Sequence, residues 1–266
     1  MDFKDKVIVV TGGANGIGES LCQQFSKMGA KIAVVDLEAD KASALARSIG
    51  GIGLRADVSV ESDIINVVFE TENKLGPIDI FVSNAGISFG DGPDWMAASA
   101  SNESWEASWG VNVMAHVYAA RAIIPDMIKR GGGCLVNIAS GASLLCQVGD
   151  AAYSTTKSAA LGFAESLAIT HGDDNIKVSV VCPLYVATRM TENGRGVIGN
   201  DKLISADIAA QAIIQGIKEE IFLILPHKEL ADYAEQKSSD YDKWIEGMRR
   251  MRRGVITQNP KYDYRH

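Results

Sequence analysis

Two side chains in the segment Tyr153-Ser154-Thr155-Thr156-Lys157 are spaced for proton chemistry. Four positions apart at the start of a helical segment, Tyr153 and Lys157 fall on one helix face. A phenol with a pKa of about 10 acts as a base near neutrality only if its phenolate is stabilised by about 4 kcal/mol. One cation about 4 Å away contributes on the order of 4 kcal/mol at an effective dielectric near 20. Lys157 therefore reads as the tuner of a Tyr153 acid/base. The spacing alone also fits an exposed surface pair, so its company decides the reading.

A second group of residues points to a nucleotide. The run Thr11-Gly12-Gly13-Ala14-Asn15-Gly16-Ile17-Gly18 follows a Val/Ile-rich stretch at 7–10 and precedes a helical segment at 17–28. Glycines there remove side chains that would block a pyrophosphate, and the helix that follows offers unpaired N–H groups and its positive end. Asp36 closes the next apolar run, eighteen positions after Gly18, where a carboxylate can accept hydrogen bonds from adenosine ribose hydroxyls. The same charge repels a 2′-phosphate, and neither Asn15 nor Leu37 brings a cation to hold one. NAD(H) is the expected cofactor over NADP(H).

The spacing G-x-x-x-G-x-G, the Y-x-x-x-K pair and Ser140, thirteen positions before Tyr153, resemble the short-chain dehydrogenase/reductase family. The resemblance implies that the Ser140 hydroxyl holds the substrate oxygen. It implies that Asn112, in Gly110-Val111-Asn112-Val113, supports Lys157 through a water in a proton relay, and that Lys157 also binds the nicotinamide ribose. Further matches extend along the chain. Asp57-Val58 is similar to the family's adenine-contacting pair, and Ser83-Asn84-Ala85-Gly86 to its N-N-A-G element with Ser in first place. Pro183, Val186 and Thr188 match P-G-x-V-x-T at the nicotinamide carboxamide, with Leu184 in place of glycine. Cofactor contacts are thus expected from Gly12, Asn15, Gly16, Ile17, Gly18, Asp36, Asp57, Val58, Asn84, Ala85, Gly86, Tyr153, Lys157, Pro183, Val186 and Thr188.

The elements that position these residues follow from periodicity. Short apolar runs at 7–10, 32–35, 52–56, 78–82, 134–138, 177–181 and 221–225 read as strands. Helical periods at 17–28, 38–49, 61–74, 103–129, 151–171 and 205–218 alternate with them. Such alternation calls for an α/β fold, a doubly wound parallel sheet of about seven strands with helices on both faces, which is the Rossmann-type arrangement. The length of 266 residues fits one domain over 1–266, with a C-terminal helical extension at 228–253.

Around the reacting groups, Leu144, Leu145, Cys146, Val148, Tyr185, Met190, Trp95 and Met96 form an expected apolar wall. Ser140, Leu144, Cys146, Tyr153, Tyr185 and Met190 are the substrate-contact candidates. An apolar cyclic or aryl-alkyl secondary alcohol, or its ketone, suits such a lining. A net charge of −7 argues against nucleic acid, and no run approaches the roughly 20 apolar residues of a membrane span. Scattered histidines and four cysteines without metal-ligand spacing imply no metal and a reduced, cytoplasmic chain. The run Arg249-Arg250-Met251-Arg252-Arg253 reads as cations offsetting a helix C-terminus. The resemblance implies a homodimer or homotetramer joined through helices 103–129 and 151–171. Two other readings remain: a sugar-nucleotide epimerase, disfavoured because only about forty residues follow the sheet, and a non-catalytic NAD sensor.

Overall fold

The computed structural model describes residues 2–92, 95–192 and 203–258. The first half runs β1 (Val7–Thr11), α1 (Gly16–Lys27), β2 (Lys31–Asp36), α2 (Ala39–Ile49), β3 (Ile52–Arg55), α3 (Glu61–Leu75) and β4 (Ile80–Ser83). It continues with α4 (Asn102–Trp109), α5 (Ala115–Lys129), β5 (Gly133–Ile138), α6 (Gly141–Leu145), α7 (Ala151–His171) and β6 (Ile176–Val181). The remainder comprises β7 (Val186–Ala187), β8 (Ile204–Ser205), α8 (Ala206–Lys218), β9 (Leu223–Ile224), α9 (Glu229–Ser239) and α10 (Tyr241–Gln258).

Side chains two apart on a strand share a face, and β1 shows what that does here. Val7 and Val9 join the core beneath α3, α5 and α7, whereas Ile8 and Val10 join the core beneath α1, α2 and α8. Both faces of the sheet are therefore covered, which is why its strands are apolar without alternation. Each fully buried Val, Leu or Ile contributes roughly 1.5–3 kcal/mol relative to exposure.

The sheet has seven parallel strands in the order β3-β2-β1-β4-β5-β6-β9. This is a Rossmann-type α/β fold, and the strand order reverses between β1 and β4. Loops leaving the carboxyl ends of those two strands flank the crevice where such sheets bind ligands. They carry Gly12–Gly18 and Asn84–Gly86, so the topology brings together two motifs about seventy residues apart in the chain.

The chain departs from its periodicity in three places. The helical period at 103–129 is split: α4 and α5 are joined by a π-helical turn at Gly110–Met114 that contains Asn112. At the C-terminal end, a single helix over 228–253 is expected, but Asp240 adopts an extended conformation (φ −154°) and divides α9 from α10. Because α10 continues to Gln258, its last turn has no basic residue. The arginine run at 249–253 thus lies inside the helix, and offsetting a helix end does not explain it. The segment 183–203 contributes β7, which pairs with β8 just after it; positions 193–202 lie outside the described residues.

Candidate active site

Asp150 sets up the start of α7. Its carboxylate accepts the Tyr153 N–H at 3.0 Å and the Gly90 N–H at 3.1 Å, and also the Ser88 hydroxyl. Capping of this kind satisfies a helix N–H that otherwise lacks a partner and typically stabilises by about 1 kcal/mol. Asp91 adds a second carboxylate, accepting the Ala151 N–H at 2.9 Å. Burial pushes the Asp91 carboxyl up from its usual range.

Tyr153, one turn into that helix, meets Ser140 at the end of β5. The Ser140 hydroxyl lies beside the phenol, and its oxygen accepts the Ala142 N–H at 3.1 Å and so caps α6. Lys157, 2% exposed, extends beneath the tyrosine: Nζ donates to the Ile138 carbonyl at 2.9 Å and lies 5.7 Å from the Tyr153 ring centre. Burial pulls the Lys157 ammonium down to about 8, which leaves it charged at neutral pH. Burial also pushes the Tyr153 phenol up, and the Ser140 hydrogen bond opposes that rise.

Asn112 is buried, and its amide is fully engaged. Oδ1 accepts the Ile87 N–H at 3.0 Å, while Nδ2 donates to the Ile87 carbonyl at 2.9 Å and to Thr156 Oγ1 at 3.1 Å. Its side chain thus ties the segment after β4 to α7, a positioning task that spacing did not reveal. Gly86 sits at the junction, since a Cβ built there would lie 3.2 Å from Lys157 Nζ and 3.4 Å from Asn112 Oδ1.

The glycine loop is clamped from the same side. Asn84 Nδ2 donates to the carbonyls of Thr11 (2.9 Å) and Gly12 (3.0 Å), and Thr11 Oγ1 accepts the N–H groups of Asn84 and Ala85. At Gly18 a Cβ would fall 2.2 Å from the Gly12 carbonyl oxygen, so no other residue fits. Asp36 accepts the Ala14 N–H at 3.0 Å and the Glu38 N–H at 3.0 Å, one on each oxygen. Asn15 and Ile17 are partly exposed on this loop, and a Cβ on Gly16 would touch Thr188 Cγ2 at 2.9 Å. Thr188 is therefore folded over the loop.

Other candidates divide. Asp57 turns back on its own segment, accepting the Ser59 N–H at 3.0 Å, and Val58 belongs to the core. Pro183 is buried and its carbonyl accepts the Gly141 N–H at 2.7 Å; the Leu184 N–H donates to His227 Nδ1 at 3.2 Å, and Leu184 does not have a positive φ, so the backbone there does not require glycine. Val186 is buried in β7, Tyr185 is partly buried, and Met190 and Cys146 are exposed. Leu144 meets the C-terminal helices, its carbonyl accepting from Lys237 Nζ at 2.6 Å. The Arg252 guanidinium of α10 lies over the Trp95 ring at 5.6 Å.

Residues that spacing missed are Asp150, His227, and a rim group made of Glu38, Lys41 and Arg189. Asp150 was findable as an acidic cap three residues before the helix tyrosine. The rim group was not, because Arg189 meets Glu38 across 151 positions. A groove at the amino-terminal edge of the sheet, lined by Lys6, Asp79, Arg130 and Lys177, lies away from these groups, and its Lys6 and Lys177 are paired with acids.

A family model described as short chain dehydrogenase matches residues 6–196, which span β1 to the segment after β7. The chain belongs to the short-chain dehydrogenase family. Among relatives, 2-(R)-hydroxypropyl-CoM dehydrogenase of Xanthobacter autotrophicus is 33% identical over 70% of this chain and 77% of its own. Meso-2,3-butanediol dehydrogenase of Serratia marcescens is 31% identical, over 72% and 75%. A crystal structure of 3-ketoacyl-(acyl-carrier-protein) reductase from Brucella melitensis, complexed with NADH, superposes with a TM-score of 0.76 at 26% identity, covering 85% of this chain and 99% of that one. Membership makes the chain an oxidoreductase, and the matched region ends before α8, so the two C-terminal helices lie outside it.

Proposed function

We propose that the chain is an NAD-dependent dehydrogenase that interconverts an apolar secondary alcohol and its ketone, with Tyr153 as acid/base. The observation carrying this reading is the convergence of Ser140, Tyr153 and Lys157 at the carboxyl ends of the strands, joined through Gly86 and Asn84 to the glycine loop. A dinucleotide fits the residues present: the close approach at Gly18 leaves a side-chain-free surface, and each Asp36 oxygen keeps a lone pair for a ribose hydroxyl. Gly12, Asn15, Gly16 and Ile17 would hold the pyrophosphate side, and Val186 and Thr188 the nicotinamide side. The NADH complex of the Brucella reductase supports the choice of cofactor.

Bound NAD supplies the hydride acceptor. The Tyr153 phenolate takes the hydroxyl proton of the alcohol, and in the reverse direction the phenol returns it. Ser140 donates to the substrate oxygen, where charge develops. Lys157 would stabilise the phenolate and hold the ribose hydroxyls of a bound cofactor, and Asn112 keeps α7 in register with the segment after β4 that carries Gly86. The lining of Leu144, Cys146, Tyr185 and Met190 favours a cyclic or aryl-alkyl substrate. Both named relatives act on substrates with a hydroxyl at a secondary carbon by their names, which supports the reaction class.

We further read residues 1–266 as one catalytic domain with α9 and α10 as its extension, working in the cytoplasm as a homo-oligomer. Four free cysteines accord with a reducing compartment. No described helix is long and apolar enough to cross a membrane. Exposed Trp109 and Ile169, the latter 83% exposed, lie on the helices through which the family's subunits join.

The test is NADH formation, followed by absorbance, with a panel of secondary alcohols. Tyr153→Phe is expected to bind NADH normally while turnover falls by at least about 100-fold. Retained turnover in that variant refutes the mechanism, and NADH binding without turnover in the wild type would make the chain a sensor.

A further inference from the structure

Four polar side chains meet on the rim beside Asp36, and of these Asn15 alone belongs to the motifs of the site. Glu38 Oε1 accepts from Arg189 Nη1 at 2.8 Å and from Asn15 Nδ2 at 3.4 Å. Its other oxygen pairs with Lys41 Nζ at 2.7 Å, and Lys41 also approaches Asn15 Oδ1 at 3.5 Å. The group is anchored to the cofactor site, because the Glu38 backbone N–H donates to Asp36 Oδ1 at 3.0 Å. Arg189 arrives from the far side of the crevice, next to Thr188, which is folded over Gly16.

Two cations therefore stand where Asn15 and Leu37 supply none. A phosphate ester on the ribose hydroxyl beside Asp36 would enter this rim, and an arginine plus a lysine is a common pairing for such an anion. Here both cations are held by one carboxylate, and with Asp36 the four charges sum to zero. Exposed ion pairs are weak, so an entering phosphate could break these contacts. The Glu38 carboxylate would still remain beside it as a repelling charge.

We propose that Glu38 is a specificity-determining residue: by pairing Lys41 and Arg189 it withholds them from a 2′-phosphate, and its removal opens a site for NADP(H). Asp36 repels the phosphate directly, whereas Glu38 acts by occupying the cations that would receive it. This inference rests on the NAD reading of the site.

The experiment measures NADH and NADPH dissociation constants by cofactor fluorescence for four proteins: wild type, Glu38→Gln, Asp40→Asn, and Glu38→Gln combined with Lys41→Ala and Arg189→Ala. Asp40 is an exposed acid two residues along, so its variant reports the effect of lost negative charge alone. Glu38→Gln is expected to tighten NADPH by about tenfold or more while NADH changes by less than about threefold. The triple variant should return NADPH to its wild-type value. A gain no larger than that of Asp40→Asn, or one that survives in the triple variant, overturns the proposal alone. Wild-type protein that binds neither dinucleotide overturns the NAD reading and this inference with it.

Discussion

Replacing Lys157 with methionine removes the charge buried under Tyr153 and should change how stability depends on pH. Burial lowers the Lys157 ammonium from its ordinary 10.5 to about 8. The folded protein thus releases this proton near pH 8, whereas the unfolded chain keeps it until about pH 10.5. Between those values the unfolded state binds more protons, so wild-type stability rises with pH. Below pH 8 both states are charged and the burial penalty is present in full, on the order of 3 kcal/mol. Integrated from pH 7 to pH 10, wild type should gain on the order of 2–3 kcal/mol relative to Lys157→Met. The variant also leaves the Ile138 carbonyl without its donor, a cost of about 1–3 kcal/mol that does not vary with pH. Urea unfolding of both proteins at pH 7, 8.5 and 10 measures the difference, in which other titrating groups cancel. A stability difference constant to within about 0.5 kcal/mol across that range would refute a desolvated, charged lysine at this position.

Two other outcomes are expected. Gly149→Ala puts a Cβ 2.2 Å from Trp95 Nε1 at a backbone with φ +81°, so it should displace Trp95 and lower stability by about 1–3 kcal/mol. Steady-state kinetics should then show a changed alcohol KM with an NADH affinity close to wild type, and an equal shift in both would separate Trp95 from the substrate pocket. Light scattering should give a multiple of the 28.4 kDa chain mass, and a monomer mass would remove the homo-oligomer.

The strands were legible because burial on both faces demands uninterrupted Val and Ile, a signal that a single sequence carries in full. β1 to β6 accordingly fall within a few residues of their apolar runs. The π-helical turn at Gly110–Met114 was not legible, since one extra residue in a turn leaves the apolar spacing of a helix almost unchanged. Asp240 gave no warning of the break before α10, because an acidic residue is ordinary on an exposed helix. In the site, Ser140, Tyr153 and Lys157 were readable from intervals along neighbouring elements. The Glu38 to Arg189 pairing was not, because it depends on how the segment after β6 folds over the glycine loop. Spacing assigns Ser140 to the substrate alone; burial, which spacing does not report, raises the Tyr153 phenol and makes the nearby serine matter to it as well.

The helices after Pro226 reach back onto the preceding part of the chain, Lys237 at the Leu144 carbonyl and Arg252 over Trp95, while Ser140, Tyr153 and Lys157 all precede α8. Changes in these two helices can therefore alter what lies against Leu144 and Trp95 without passing through Ser140, Tyr153 or Lys157.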